Sequence, residues 1–250
     1  MGAPVTLDLS RETADIWRIR LDIAQHIGAL RRALSEEERR RADRFRFPRD
    51  RDRFTIARSG LRSVLARYLS TGPAEVSLRY GEHGKPVAAG GADLQFNLSH
   101  AEDVAVVAVC PDRPVGVDVE RVRRLSDLEA LARRCFSEPE GRCLSVVSGG
   151  ERRELFFRIW TRKEACLKAL GTGFGVSPIA VRVLDDRGQV LPVAHLGEPE
   201  EGRSWRLLEF VPAEGYVAAV ALEGPSNPRA VRFWEASVGG GPRREPGVHG

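Results

Sequence analysis

Two carboxylates, Asp118 and Glu120, alternate with valines in the stretch PVGVDVERV, residues 114–122. On a strand successive side chains point to opposite faces, so Val115, Val117 and Val119 would face a core while Gly116, Asp118 and Glu120 emerge together on the other side. Carboxylates held side by side repel unless something positive lies between them. A hard divalent cation such as Mg²⁺ fills that role, because it accepts a few carboxylates, keeps several waters and takes phosphate oxygens besides. Gly116, on the same face, would leave room for the close approach of a ligand. Taken alone, a D-x-E is more often two solvent-facing residues of a half-buried strand.

The stretch FFRIWTRKEACLKALGTGFG, residues 156–175, holds a second pair, Glu164 and Lys168, one helical turn apart. By itself such a pair is an ordinary exposed ion pair contributing a few tenths of a kcal/mol. The choice of lysine is less ordinary. Of the 39 basic residues only Lys85, Lys163 and Lys168 are lysines. An ammonium is a compact point charge on a flexible stem, whereas a guanidinium spreads its charge over a planar fork.

Several elements must carry these groups. Ser35 and Glu38 have the S-x-x-E spacing of a capping box, which predicts a helix from about Glu36. After Pro48, residues Phe54, Ala57, Leu61, Val64, Leu65 and Tyr68 recur at helical spacing up to the stop signal STGP, with arginine over much of the other face. Strand patterns follow at 76–80, 94–99 and 104–110, and the valine run 115–119 is a further one. The second half repeats that order. A helix spans about 151–170, with Phe156, Ile159, Trp160, Leu167 and Leu170 as its apolar stripe and a stop at Gly171. A hairpin turning at Asp186–Gly188 comes next, then strands at 205–210 and 216–222. The segments AEDVAVVAV (101–109) and AEGYVAAVAL (213–222) overlay with one inserted residue, which suggests duplication. The expected fold is therefore α+β. Two similar lobes, related by a pseudo-twofold and joined near 111–115, would each be an antiparallel-rich sheet packed on a long helix. Their bounds would be 1–113 and 114–224, with 225–250, rich in Gly, Pro and Arg, mostly a mobile tail that Phe233 and Trp234 pin in part.

At 250 residues the chain can bury a sizeable core, and no apolar run approaches the length that spans a bilayer. The first residues lack the charged-then-apolar pattern of a secretory signal, so the cytoplasm is expected. Cys110, Cys135, Cys143 and Cys166 have no zinc-like spacing and read as reduced thiols. The net charge of +4 is concentrated near residues 31–54 and suits an anionic partner. A basic nucleic-acid-binding protein is one alternative, but Phe54 falls on the core stripe and is lost as a stacking platform.

VGVDVERV followed some forty residues later by FFRIWTRKEACLKALGTGF resembles the signature pair of the phosphopantetheinyl transferases. Three further segments, residues 41–69, YGEHGKPVA (80–88) and FNLSHAEDVAVVAV (96–109), resemble the two-lobed Sfp-type branch. The resemblance implies transfer of the phosphopantetheine arm of coenzyme A to a serine of an apo acyl or peptidyl carrier protein, with release of adenosine 3',5'-bisphosphate. It implies Mg²⁺, with Mn²⁺ as a substitute, on Asp118, Glu120 and Glu164. Glu164 or a metal-held water would take the serine proton, and Lys168 would sit by the pyrophosphate. Coenzyme A would be held by Ser99 and His100 at its phosphates, by Gly84, Lys85 and Pro86 along the nucleotide, and by Arg53 and Arg41 as phosphate clamps. One departure is Glu38, followed by Arg39 to Arg41, where relatives often carry lysine in the first helix. A monomer is implied, with an acidic carrier protein as partner and neither nucleic acid nor membrane. A coenzyme A-binding relative without transfer activity is the remaining alternative.

Overall fold

The computed structural model describes residues 13–22, 27–81, 84–89, 93–171, 175–185, 187–196, 203–224, 228, 230–236 and 243–244. The first half runs β1 (Thr13–Arg20), α1 (Ile27–Arg31), α2 (Glu36–Asp43), α3 (Pro48–Leu69), β2 (Leu78–Tyr80), β3 (Pro86–Ala88), β4 (Leu94–Ala101) and β5 (Val104–Pro111). The second half runs β6 (Val115–Arg121), α4 (Leu128–Cys135), α5 (Glu138–Ser145), α6 (Gly149–Leu170), β7 (Val181–Leu184), β8 (Val190–Leu196), β9 (Arg203–Phe210) and β10 (Tyr216–Glu223). Two short strands close the chain, β11 (Ala230–Glu235) and β12 (Arg243–Arg244).

The class is α+β. One sheet has the order β12-β11-β1-β5-β4, a second the order β6-β10-β9-β8-β7, and β2 with β3 forms a separate hairpin. Each large sheet has a long helix on one face. Ile56, Leu61, Val64 and Leu65 of α3 pack on Trp17, Ile19, Val107 and Val109 of the first sheet. Phe156, Ile159, Cys166 and Leu167 of α6 pack on the second. The remaining faces meet in a shared core, where Ile16, Val106 and Ala108 lie against Val115, Val117, Val119 and Val220. The three valines of β6 thus point inward, and Gly116 and Asp118 turn toward α6. Both sheets contain the same local order, β1-β5-β4 and β6-β10-β9, with the long helix between the first and second of those strands in sequence. Among the described residues no helix is long and apolar enough to cross a membrane.

Local chemistry explains the helix ends. Ser35 Oγ accepts the Glu38 N–H and Glu38 returns a bond to the Ser35 N–H, closing the expected capping box. At the start of α5 Glu140 accepts the Ser137 N–H at 2.7 Å, and this element was not announced by the hydrophobic periodicity although its S-x-x-E signal was present. The arginine face of α3 is not wholly solvated. Arg58 and Arg62 are buried and grip the equally buried Glu38 carboxylate at 2.8 and 2.6 Å. Those two guanidiniums and the Ser35 N–H hold the Glu38 carboxyl below its ordinary range despite burial. This explains an acid in the first helix where the resemblance anticipates lysine.

Within 225–250, expected to be mostly a tail pinned in part by Phe233 and Trp234, the part around those two residues is a strand. Ala230–Glu235 form a strand parallel to β1, in register from Thr13 with Ala230 to Arg18 with Glu235. Buried Asp15 accepts from Arg232 Nε at 2.6 Å, Tyr68 Oη at 2.6 Å and Trp234 Nε1 at 3.1 Å, and Trp234 stacks on Trp17. The segment returns because β1 carries a buried carboxylate that needs these donors. Asp186, placed in the β7–β8 turn by sequence, lies outside the described residues.

Candidate active site

Gly116 sets the site by what it lacks. A Cβ built there would stand 2.0 Å from the Ala165 carbonyl oxygen and 2.4 Å from the Ala169 nitrogen. Space at Gly116, expected to admit a ligand, admits the backbone of α6 instead. Ala165 and Ala169 directly follow Glu164 and Lys168, so this approach brings the helix's acid and amine to the polar face of β6.

Lys168 Nζ donates to Asp118 Oδ1 at 2.6 Å and to Ser99 Oγ at 2.9 Å, and Ser99 Oγ donates to the same Oδ1 at 2.9 Å. Asp118 is 4% exposed, and its Oδ2 is buried without a partner. Beside it, burial and the Asp118 charge push the Glu120 carboxyl up to about 7, against the opposing pull of Arg123 and Lys168. Burial and Asp118 raise Glu164 as well, while Lys168 lowers it. Three carboxylates therefore crowd one region with a single ammonium in contact. Among the described residues no three acidic, thiol or imidazole side chains are already closed around one point. The chemistry nonetheless fits a hard dication. An orphaned buried oxygen and two carboxyls held above their usual range are what an unneutralised oxygen-ligand set looks like.

Glu164 and Lys168 border a cleft of about 790 Å³ that also meets Trp160 one turn earlier on α6 and Gly84, Lys85 and Pro86 of the β2–β3 hairpin. Its walls thus come from both halves of the chain. Lys85 crosses between them, its Nζ donating to the carbonyls of Val115 at 3.2 Å and Ala169 at 3.3 Å. His100 is reached by solvent yet closely surrounded by protein. Burial and the nearby cations Lys168, Arg53 and Arg41 lower its pKa, so these four residues share one positive region. The arginines have partners already: Arg53 donates to Asp103 at 2.6 Å, and Arg41 lies over the Phe54 ring. Of the sequence-derived site residues, Gly84, Lys85, Pro86, Glu164 and Lys168 line the cleft, His100, Arg53 and Arg41 share the positive region with Lys168, and Ser99, Asp118 and Glu120 lie behind the cleft wall near Lys168. Ser99 and Lys168, however, contact Asp118 directly, and Arg53 contacts Asp103.

Residues 114–221 match the 4'-phosphopantetheinyl transferase superfamily, and residues 23–112 match the 4'-phosphopantetheinyl transferase N-terminal family. The 4'-phosphopantetheinyl transferase HetI of Nostoc sp. is 38% identical over 225 residues, covering 88% of this chain and 92% of the relative. The chain belongs to the 4'-phosphopantetheinyl transferase superfamily, in its Sfp-type branch. A 4'-phosphopantetheinyl transferase of Bacillus subtilis is 30% identical over 156 residues, or 62% of this chain and 68% of the relative. Among solved structures, a holo-(acyl-carrier-protein) synthase from Bacillus anthracis in complex with CoA (3',5'-ADP) aligns with 45% of this chain and 96% of its own, at a TM-score of 0.38 and 24% identity.

The fold also accounts for Lys163, for which no pattern in the residues offered a role. Its ammonium is fully buried and donates to Glu140 Oε2 at 2.7 Å, the Pro178 carbonyl at 2.9 Å and the Val181 carbonyl at 2.6 Å. An ammonium has three donors and here meets three acceptors. A guanidinium has five and could not be satisfied in the same space. Lys163 therefore anchors α6 from behind, tying it to α5 and β7 one residue before Glu164. Asn97, part of the FNLSH stretch but given no role there, lines the cleft and accepts the Val117 N–H at 2.9 Å.

Proposed function

We propose that this enzyme moves the phosphopantetheine arm of coenzyme A onto a serine of an apo acyl or peptidyl carrier protein with the help of Mg²⁺, releasing adenosine 3',5'-bisphosphate. Transfer of the arm to carrier proteins follows from the family. Its assignment to particular residues is carried by one observation, the gathering of Asp118, Glu120 and Glu164 about Lys168, with Glu164 and Lys168 on the wall of a cleft built by both halves of the chain.

In the reaction the serine oxygen bonds to the β-phosphorus of coenzyme A while the bond from that phosphorus to the bridging oxygen breaks. The electron pair leaves with adenosine bisphosphate. Such chemistry depends on positioning and charge neutralisation more than on covalent help from the protein. Asp118, Glu120 and Glu164 would hold Mg²⁺, which when bound supplies positive charge to the pyrophosphate oxygens. Lys168 adds a point charge beside them and, on substrate binding, exchanges its Asp118 contact for phosphate. Glu164, on the wall of the cleft, or a water held by the metal would take the serine proton. Gly84, Lys85 and Pro86 would line the nucleotide, with Ser99, His100, Arg53 and Arg41 near the phosphates. The ion pair of Arg53 with Asp103 would open to admit them.

The repeated strand orders and the core shared by the two sheets support a pair of lobes, 1–113 and 114–224, related by a pseudo-twofold. Both halves of the site lie in one chain, which supports action as a monomer. The four cysteines are free thiols, in keeping with the reducing cytoplasm. The arginine-rich first half would steer an acidic carrier protein toward the cleft at a rate that falls with salt. Incubation with coenzyme A, Mg²⁺ and a panel of apo carrier proteins, read by intact mass, tests the proposal. A carrier that gains the phosphopantetheine mass supports it, and no gain on any carrier refutes it.

A further inference from the structure

β4 and β6 are the edge strands of different sheets, and no backbone ladder joins their described residues. A buried edge strand still has outward-facing polar groups that need partners. Here side chains supply them. Asn97 Oδ1 accepts the Val117 N–H at 2.9 Å, and Ser99, two residues on along the same face of β4, donates from Oγ to Asp118 Oδ1 at 2.9 Å. Asn97, Ser99 and Asp118 are 7%, 6% and 4% exposed, so water does not replace these contacts. The first contact fixes the backbone immediately before Asp118. The second, with Lys168 on the same atom, restrains Oδ1 and leaves Oδ2 as the carboxylate's unengaged oxygen.

We infer that Asn97 and Ser99 are positioning residues for Asp118, forming a side-chain ladder by which the first half of the chain orients a metal carboxylate of the second. The inference rests on the Mg²⁺ reading above, and it gives Ser99 a task in addition to the phosphate contact implied by the family resemblance. Outer partners of metal ligands restrict the rotation of the carboxylate, and their loss typically weakens metal binding about 10–100-fold.

The test is Mn²⁺ binding to the full-length enzyme with coenzyme A present and no carrier protein, followed by the loss of the free-ion electron paramagnetic resonance signal. The KM for coenzyme A is measured separately at saturating Mg²⁺. Positioning predicts that Asn97→Ala weakens Mn²⁺ binding by about 10–100-fold with little change in that KM, that Ser99→Ala weakens it in the same sense, and that Ser99→Thr restores it. Wild-type Mn²⁺ affinity in a folded Asn97→Ala or Ser99→Ala protein overturns the inference, and a raised KM alongside it in Ser99→Ala would leave Ser99 to the phosphate alone. If Ser99→Ala does not fold, Ser99→Cys, near-isosteric and a much weaker donor, is read the same way. Failure of the metal reading looks different: the wild type would bind no Mn²⁺, or Asp118→Asn would bind it as the wild type does.

Discussion

Replacing Gly116 with alanine adds one methyl group and should disable the enzyme. The new Cβ would stand 2.0 Å from the Ala165 oxygen and 2.4 Å from the Ala169 nitrogen, both backbone atoms within a helix that cannot rotate aside as a side chain can. Ordinary contact begins near 3.4 Å, so α6 would have to withdraw from β6 by about 1.4 Å. Overpacking of this kind costs roughly 1–3 kcal/mol of stability, and each kcal/mol shifts Tm by about 2–4 °C at this chain length. The effect on catalysis should be larger than the stability loss implies. Glu164 and Lys168 ride on the displaced turns, the Lys168–Asp118 contact of 2.6 Å cannot survive such a shift unaltered, and a misplacement of about 1 Å can cost about 100-fold in rate. Urea denaturation gives the stability, and the initial rate of carrier modification, corrected for the folded fraction, gives kcat. A Gly116→Ala enzyme with wild-type Tm and kcat would refute the claim that this contact sets the site.

Three further outcomes follow from the same contacts. Lys163→Met should destabilise the fold by about 3–5 kcal/mol, since it strands the fully buried Glu140 carboxylate, and unchanged urea stability would contradict the anchoring role. Arg232→Met should cost a similar amount through Asp15, whereas a simple tail would tolerate it with no change in Tm. The metal-free fold holds the Glu120 proton more tightly than the unfolded chain does, with the carboxyl raised from 4.5 to about 7. Its contribution to stability is therefore full below about pH 4.5 and lost as pH rises to about 7. The difference between wild type and Glu120→Gln should follow that course without metal and be offset by Mg²⁺, and a wild-type advantage growing with pH in the absence of metal would reverse the assigned sign.

Much of this arrangement was legible in the residues. The alternation of 115–120 gave the inward valines and outward carboxylates, and the helical spacing of 54–68 and 156–170 gave the two long helices. Glu164 and Lys168 were visible as a pair, but their neighbours on β6 were not, because contact between a helix and a strand leaves no period in the sequence. Gly116 was noticed for its missing side chain and given the wrong visitor. The small residues that receive it, Ala165 and Ala169, were the available clue. β11 escaped because its burial depends on a distant residue, Asp15, and Gly and Pro dominate the segments around it. The Glu38 and Lys163 ion pairs escaped for the same reason. Each is a charge whose burial makes sense only once its partner, twenty or more residues away, is in place.

The central claim is that Asp118 and Glu120 of β6 and Glu164 of α6 act on one metal ion beside coenzyme A. Anomalous scattering from Mn²⁺ in a crystal of the enzyme with coenzyme A tests it most directly. A single peak in contact with all three carboxylates and with the pyrophosphate is expected, with Lys168 turned from Asp118 to phosphate. A peak elsewhere, or one at this place that Glu164 does not touch, would contradict it.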